Sequence, residues 1–168
     1  IMKKGKLTKQ MILEKAAGLF NSRGYFGASM SDVMEVTGLE KGGIYNHFDS
    51  KDELAMAAFD HVVAINGAKL LLAVKEHDNS LDKLMAIVDS FHNVVQNPTI
   101  PGGCPLLNSA VESDDAHPAM RARVQAAMLK LLALVESIVA KGIECNELSD
   151  DLSPYSVATY LIASRSEE

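Results

Sequence analysis

Between Ser29 and Phe48 two short helical patterns are separated by a single glycine, Gly38. Two short helices joined by a glycine-containing turn have the sequence shape of a helix-turn-helix. Ser29 or Ser31 is suited to cap the first pattern, which runs to about Val36. The next helix starts near Glu40, and its Ile44 and Phe48, four residues apart, are expected to face a core. Lys41, Gly42, Tyr45 and Asn46 then point the other way. Upstream, Thr8 is a good N-cap, and Ile12, Ala16, Leu19 and Phe20 form one apolar helix face closed by Gly24, a residue suited to a left-handed C-cap. Downstream, Ser50 and Glu53 read as a capping box that opens a long helix.

The outward face of this segment suits a phosphate backbone. Lys41 and Lys51 bring charge, and Tyr45 and His47 bring donors on stiff side chains. Gly42 and Gly43 each cost a helix roughly 1 kcal/mol relative to alanine. Close approach of a helix N-terminus to a phosphate is a better reason for them than helix stability.

Residues 8–54 resemble the DNA-binding domain of the TetR family of bacterial repressors. The matching positions are Thr8, Ile12, Ala16, Phe20, Gly24, Ala28-Ser29-Met30, Val33, Thr37-Gly38-Leu39, Lys41-Gly42, Ile44-Tyr45, His47-Phe48, Ser50-Lys51 and Leu54. The resemblance implies that Lys41, Gly42, Tyr45, Asn46, His47 and Lys51 line the DNA. It implies that Ser29, Met30 and Ser31 lie at the start of the supporting helix near a phosphate. It also implies a homodimer on a palindromic double-stranded operator, with two half-sites about 34 Å or a multiple apart, and a small-molecule inducer of unknown identity.

An overall net charge of −6 would by itself argue against DNA, but the charge is unevenly distributed. Residues 1–51 carry eight Lys/Arg against five acids, and the remainder carries eight against seventeen. A basic reading head on an acidic body is the organisation this split implies. The expected domains are a DNA-binding head, residues 1–51, and a helical effector-binding and dimerisation body, residues 52–168. The expected fold is all-α: strand-like alternation is absent, and 48% hydrophobic residues support a core. No apolar run is expected to span a membrane and no secretory signal is evident. Two cysteines in such a chain suggest a reducing, cytoplasmic setting.

The body reads as a helix from about Lys51 to Glu76 (Leu54, Ala58, Val62, Ile65 and Leu72 inward) and one capped by Ser80 (Leu81, Leu84, Met85, Val88, Phe91, Val95). After a break at 96–105 comes a short helix with Leu106, Leu107, Ala110 and Val111 on one side, ending in Glu112-Ser113-Asp114-Asp115. A long helix starts at His117-Pro118 with the stripe Met120, Val124, Met128, Leu131, Val135, Ile138 and Val139, and a last one starts at Ser153-Pro154. Met85, Phe91, Met120, Val124 and Met128 are candidates to line an apolar effector cavity between helices. The final helix reaches only about Ala163 before a polar Ser164–Glu168 end, shorter than the resemblance leads one to expect.

Gly102-Gly103-Cys104-Pro105-Leu106-Leu107-Asn108 is the second informative site. Pro105 suits the first helical position, which puts Cys104 at an N-cap where a thiolate is favoured. The segment resembles the Gly-Cys…Asn stretch of a TetR subgroup, some members of which sense electrophiles or oxidants, so Cys104 and Asn108 join the candidate sensor residues. The bland alternative is a buried thiol that packs as a small hydrophobe. Cys145, at a helix end, reads as structural. The histidines form no metal-ligand spacing, and neither a metal nor a cofactor is expected. Two rival functions are a cysteine-dependent enzyme, which would need His92 or His117 beside Cys104 as a base, and a helical interaction module without DNA binding.

Overall fold

A computed structural model describes residues 4–25, 27–113 and 117–164. The architecture is all-helical, and no strand occurs among the described residues. Among the described residues eight helices follow in order: α1 (Lys4–Arg23), α2 (Met30–Thr37), α3 (Lys41–Tyr45), α4 (Lys51–Lys75), α5 (Ser80–Gln96), α6 (Pro105–Ser113), α7 (Pro118–Glu144) and α8 (Pro154–Ala163). Asp114 and Asp115, and the polar residues 165–168, lie outside the described residues.

Two apolar clusters hold the helices together. The first joins Ile12, Ala16 and Phe20 of α1, Val33 of α2, and Ile44 of α3 with Phe48, which follows α3. Leu54, Phe59 and Val62 of α4 and Met120 and Val124 of α7 complete it. The second joins Val74 of α4, Leu84 and Ile87 of α5, Val135, Ile138 and Val139 of α7, and Ala158 of α8. Helix α4 therefore enters both clusters, and α7 reaches back into the first. Packing does not break at residue 51.

Local signals explain most boundaries. Ser29 caps α2 in a capping box with Asp32, and Gly38 ends the helix at φ 71°, a backbone conformation glycine adopts without strain. Ser50 accepts the Glu53 N–H at 3.0 Å, but the Glu53 carboxylate returns to the Asp49 N–H at 2.6 Å and not to Ser50. His117 and Ser153 cap α7 and α8, each followed by proline at the first helical position.

Several expectations are corrected. Helix α1 begins at Lys4, so Thr8 lies inside it. The cap preference of one threonine is weaker than the propensity of the flanking residues to continue the helix. Asn79, not Ser80, caps α5. It accepts the Asp82 N–H at 2.8 Å, while the buried Ser80 donates its own N–H to Glu147 at 2.6 Å. On α4 the inward row steps by four throughout, Leu54, Ala58, Val62, Asn66, Leu70 and Val74, which leaves Leu72 63% exposed. Asn66 hid that row from an apolar count. Leu81, Met85, Val88 and Val95 of α5 are exposed, because α5 carries more apolar residues than the face it packs. Val111 of α6 is exposed for the same reason, and Cys145 is exposed at the C-cap of α7. Contrary to expectation, α4 is long and apolar enough to cross a membrane by length and composition. In this fold its apolar residues enter both clusters and the wall of a cavity described below.

Candidate nucleic-acid interface and interior cavity

Helix α3 is held from beneath by Ile44 and Phe48, each almost fully buried. This leaves Lys41, Gly42 and Asn46 exposed and Tyr45 and His47 half-buried along one surface. The Lys41 ammonium lies 5.7 Å from the centroid of the Tyr45 ring. A Cβ added to Gly42 would meet no atom of the protein within 4 Å, so nothing inside the fold requires glycine there. At α2, Ser31 is exposed and Met30 packs against the first cluster. Ser29 is already engaged: its hydroxyl and its N–H both donate to Asp32, at 2.6 and 2.7 Å. Those bonds, with Arg23 at 2.7 Å, hold the Asp32 carboxyl below its usual range. A phosphate approaching the α2 N-terminus would meet that carboxylate, already paired with Arg23. Lys51 sits with its ammonium 4.6 Å from the Tyr25 ring centroid.

Beneath this surface a polar junction ties α1, α4, α6 and α7 together. Asn21 at the end of α1 donates to the carbonyls of Pro101 and Gly103, at 2.9 and 3.1 Å. Asn108 of α6 donates to the Gly102 carbonyl at 2.7 Å and to the Asn21 carbonyl at 3.1 Å. The Tyr25 N–H donates to Glu112 at 2.7 Å. The Tyr25 hydroxyl donates to Asp52, whose second oxygen lies 3.3 Å from His117 Nε2. The Met120 N–H donates to His117 Nδ1, so Nε2 carries the proton that points at Asp52.

Between α4, α5, α6 and α7 lies a cavity of about 840 Å³. Phe91, Cys104 and Leu131 border it, with Lys69, Lys130 and Thr99 also in its wall. Among the effector candidates, Phe91 and Cys104 therefore line it. Met85 is 52% exposed on another face of α5. Met120, Val124 and Met128 belong to or pack on the first cluster, and Asn108 belongs to the junction. The long α7 stripe rotates past the cavity, so only its Ala127, Lys130, Leu131 and Leu134 reach the wall. Cys104 is buried, in no disulfide, and its carbonyl accepts the Asn108 N–H at 3.1 Å, the position expected of an N-cap. His92 is exposed and His117 is engaged by Asp52, and no histidine lines this cavity among the described residues.

Residues 12–58 match the family profile described as bacterial regulatory proteins, tetR family, and residues 80–166 match that of tetracyclin repressor-like C-terminal domains. The chain belongs to the TetR family. A TetR transcriptional regulator from Chloroflexus aurantiacus superposes with a TM-score of 0.94 at 38% identity, over 98% of this chain and 83% of that one. A TetR-family regulator from Cytophaga hutchinsonii gives 0.90 at 32% identity, over 99% and 83%. An uncharacterised helix-turn-helix regulator of Lactococcus lactis is 34% identical over 106 residues, which are 62% of this chain and 54% of that relative. The match thus spans about half the length of that relative.

Within this TetR fold, sequence reasoning missed Asn21, Tyr25, Asp52, Glu112 and His117. Their partners lie 27 to 87 residues apart in sequence, beyond any local pattern. The left-handed Gly24, whose added Cβ would fall onto the Glu112 carboxylate, was the one available signal. The junction has a pH signature. Partial burial and the Asp52 bond push the Tyr25 hydroxyl up to about 12. Its contribution to stability is therefore complete below pH ~10 and lost as pH rises toward 12. The Tyr25 hydroxyl and His117 hold Asp52 below the carboxylate range. Its contribution is present above pH ~4 and lost as pH falls through the lowered value. Melting temperatures of Asp52→Asn and the parent protein should differ most above pH ~5 and converge under acid. A constant difference down to the lowest pH would rule out an ionised Asp52 as the stabilising species.

Proposed function

We propose that this TetR-family protein is a ligand-responsive transcriptional repressor that binds a palindromic operator as a homodimer. It would act in the cytoplasm, where its DNA lies. The single observation that carries the DNA part is the α3 surface, solvent-facing Lys41, Gly42, Tyr45, Asn46 and His47 on a buried Ile44–Phe48 base. Ser31, Met30, Ser29 and Lys51 flank it, with Ser29 acting through the geometry of the α2 cap. Phosphate contacts from Lys41 and Lys51 would set affinity and salt dependence, and Asn46 is the side chain best placed to read a base edge.

Release of DNA would start in the cavity. Cys104, Pro105 and Leu106 border it, and the same α6 carries Asn108 and Glu112, which hold the α1 end and the Tyr25 turn. A ligand that displaces α6 therefore acts on the head through defined bonds. A coupling of about 3 kcal/mol changes operator affinity about 100-fold. Cys104 on the cavity wall also supports a second trigger: modification of its thiol would enlarge a side chain at the start of α6. Cys104→Ser should abolish release by a thiol reagent and leave release by a reversible ligand intact.

Gly42→Ala separates folding from recognition. Alanine favours the helix by roughly 1 kcal/mol, and the added methyl meets no protein atom. The melting temperature should stay level or rise while DNA affinity falls. If affinity and stability instead rise together, the close-approach role of Gly42 is wrong.

A further inference from the structure

The acid-rich body holds a half-open cavity whose charged lining, among the described residues, is basic. Residues 52–168 carry seventeen acidic and eight basic side chains. Among the described residues no acid lines the cavity, and its charged residues are Lys69 of α4 and Lys130 of α7. Leu131, Cys104 and Pro105 are buried in its wall and Phe91 is half-buried. Lys69, Lys130, Asn93, Asn97 and Thr99 of the same wall are exposed, as are Ala64, Ala68 and Leu71. Lys69 Nζ donates to Thr99 Oγ1 at 2.5 Å, and Lys130 takes part in no ion pair among the described residues.

From this geometry we infer that the cavity takes an anionic amphiphile, an apolar chain or ring seated against Phe91 and Leu131 with a carboxylate or phosphate at the mouth between Lys69 and Lys130. The inference rests on the reading of the cavity as the effector site. A volume of about 840 Å³ lies within the range of small-molecule sites, on the order of 300–1,000 Å³. The apolar part of the wall provides burial for the body of the ligand, and the two ammoniums provide charge-assisted hydrogen bonds that select the sign of its head. A cationic amphiphile would place its head against two like charges, with no acid in the described lining to offset them. A neutral one would leave the lysines to water.

The test uses four probes with the same ten-carbon tail, decanoate, decyl phosphate, decanol and decyltrimethylammonium, each below its micelle concentration. Titration calorimetry gives affinity, and displacement of a DNA selected from random pools gives function. At least one anion should bind on the order of tenfold more tightly than decanol and decyltrimethylammonium, a difference of about 1.4 kcal/mol. The Lys69→Met, Lys130→Met double variant should lose that advantage and keep its affinity for decanol. Both side chains are solvent-exposed, so the variant retains the core. Equal or tighter binding of decanol or the ammonium, no binding of any of the four, or an anion advantage that survives the double substitution would each overturn the inference. Release of DNA by decanol or the ammonium removes only the charge assignment, whereas a ligand-free protein that selects no DNA removes the regulator reading itself.

Discussion

Replacing Lys41 and Tyr45 together with alanine is expected to lower sequence-selective DNA affinity by about 100-fold or more while the protein stays folded. Lys41 is exposed, its ammonium lies over the half-buried Tyr45 ring, and neither belongs to the buried base formed by Ile44 and Phe48. Each contact to phosphate or base is worth on the order of 1–3 kcal/mol, and two together reach that range. Loss of the Lys41 charge should also flatten the dependence of affinity on salt, by a slope of about one. Fluorescence anisotropy across a salt series, with circular dichroism on the same samples, measures both. A variant that binds as tightly as the parent, with an unchanged salt slope, would remove α3 as the recognition element. It would reopen the interaction-module alternative.

The second large effect is on the joint between head and body. Gly102 has φ 109°, and a Cβ there would lie 2.3 Å from the Asn21 carbonyl oxygen. Alanine thus meets a strained backbone and a backbone collision at once, with no flexible side chain to yield. The bonds from Asn21 and Asn108 to residues 101–103 depend on that close approach. A loss of roughly 2–4 kcal/mol is expected, or a fall in melting temperature of roughly 5–15 °C for a chain of this size. Gly103→Ala is the control. Its φ is 78° but an added Cβ meets nothing within 4 Å, so only the backbone strain remains. Equal, small effects at both positions would show that the loop does not rest on α1. Because the same contact carries the proposed signal from α6 to the head, Gly102→Ala should also weaken the response of DNA binding to ligand.

The α3 surface proposed to read DNA was legible in the chain because its determinants are local. Helix caps, a left-handed glycine and a four-residue apolar spacing act over a few residues, so Ser29, Gly38, Ile44 and Phe48 fall where their chemistry predicts. The same locality limited what the chain shows of the proposed effector site. Met85, Met120, Val124 and Met128 lie on apolar stripes, but a stripe shows only that a residue seeks apolar surroundings. Whether those surroundings are a core or a cavity depends on how far apart the neighbouring helices stand. Asn66 illustrates the converse: its polarity excluded it from the stripe, yet it completes the inward row of α4 and lines the cavity.

What the chain determined by itself is the all-helical fold, the helix-turn-helix, and the basic character of the head, since each follows from periodicity, capping and charge in sequence order. Only the tertiary structure decided that Cys104 borders a cavity, that the cavity wall is basic within an acidic body, and that Asn21, Tyr25, Asp52, Asn108, Glu112 and His117 join the head to α6 and α7. Those properties depend on side chains far apart in the chain brought within hydrogen-bond distance by packing, and a one-dimensional pattern does not record that distance.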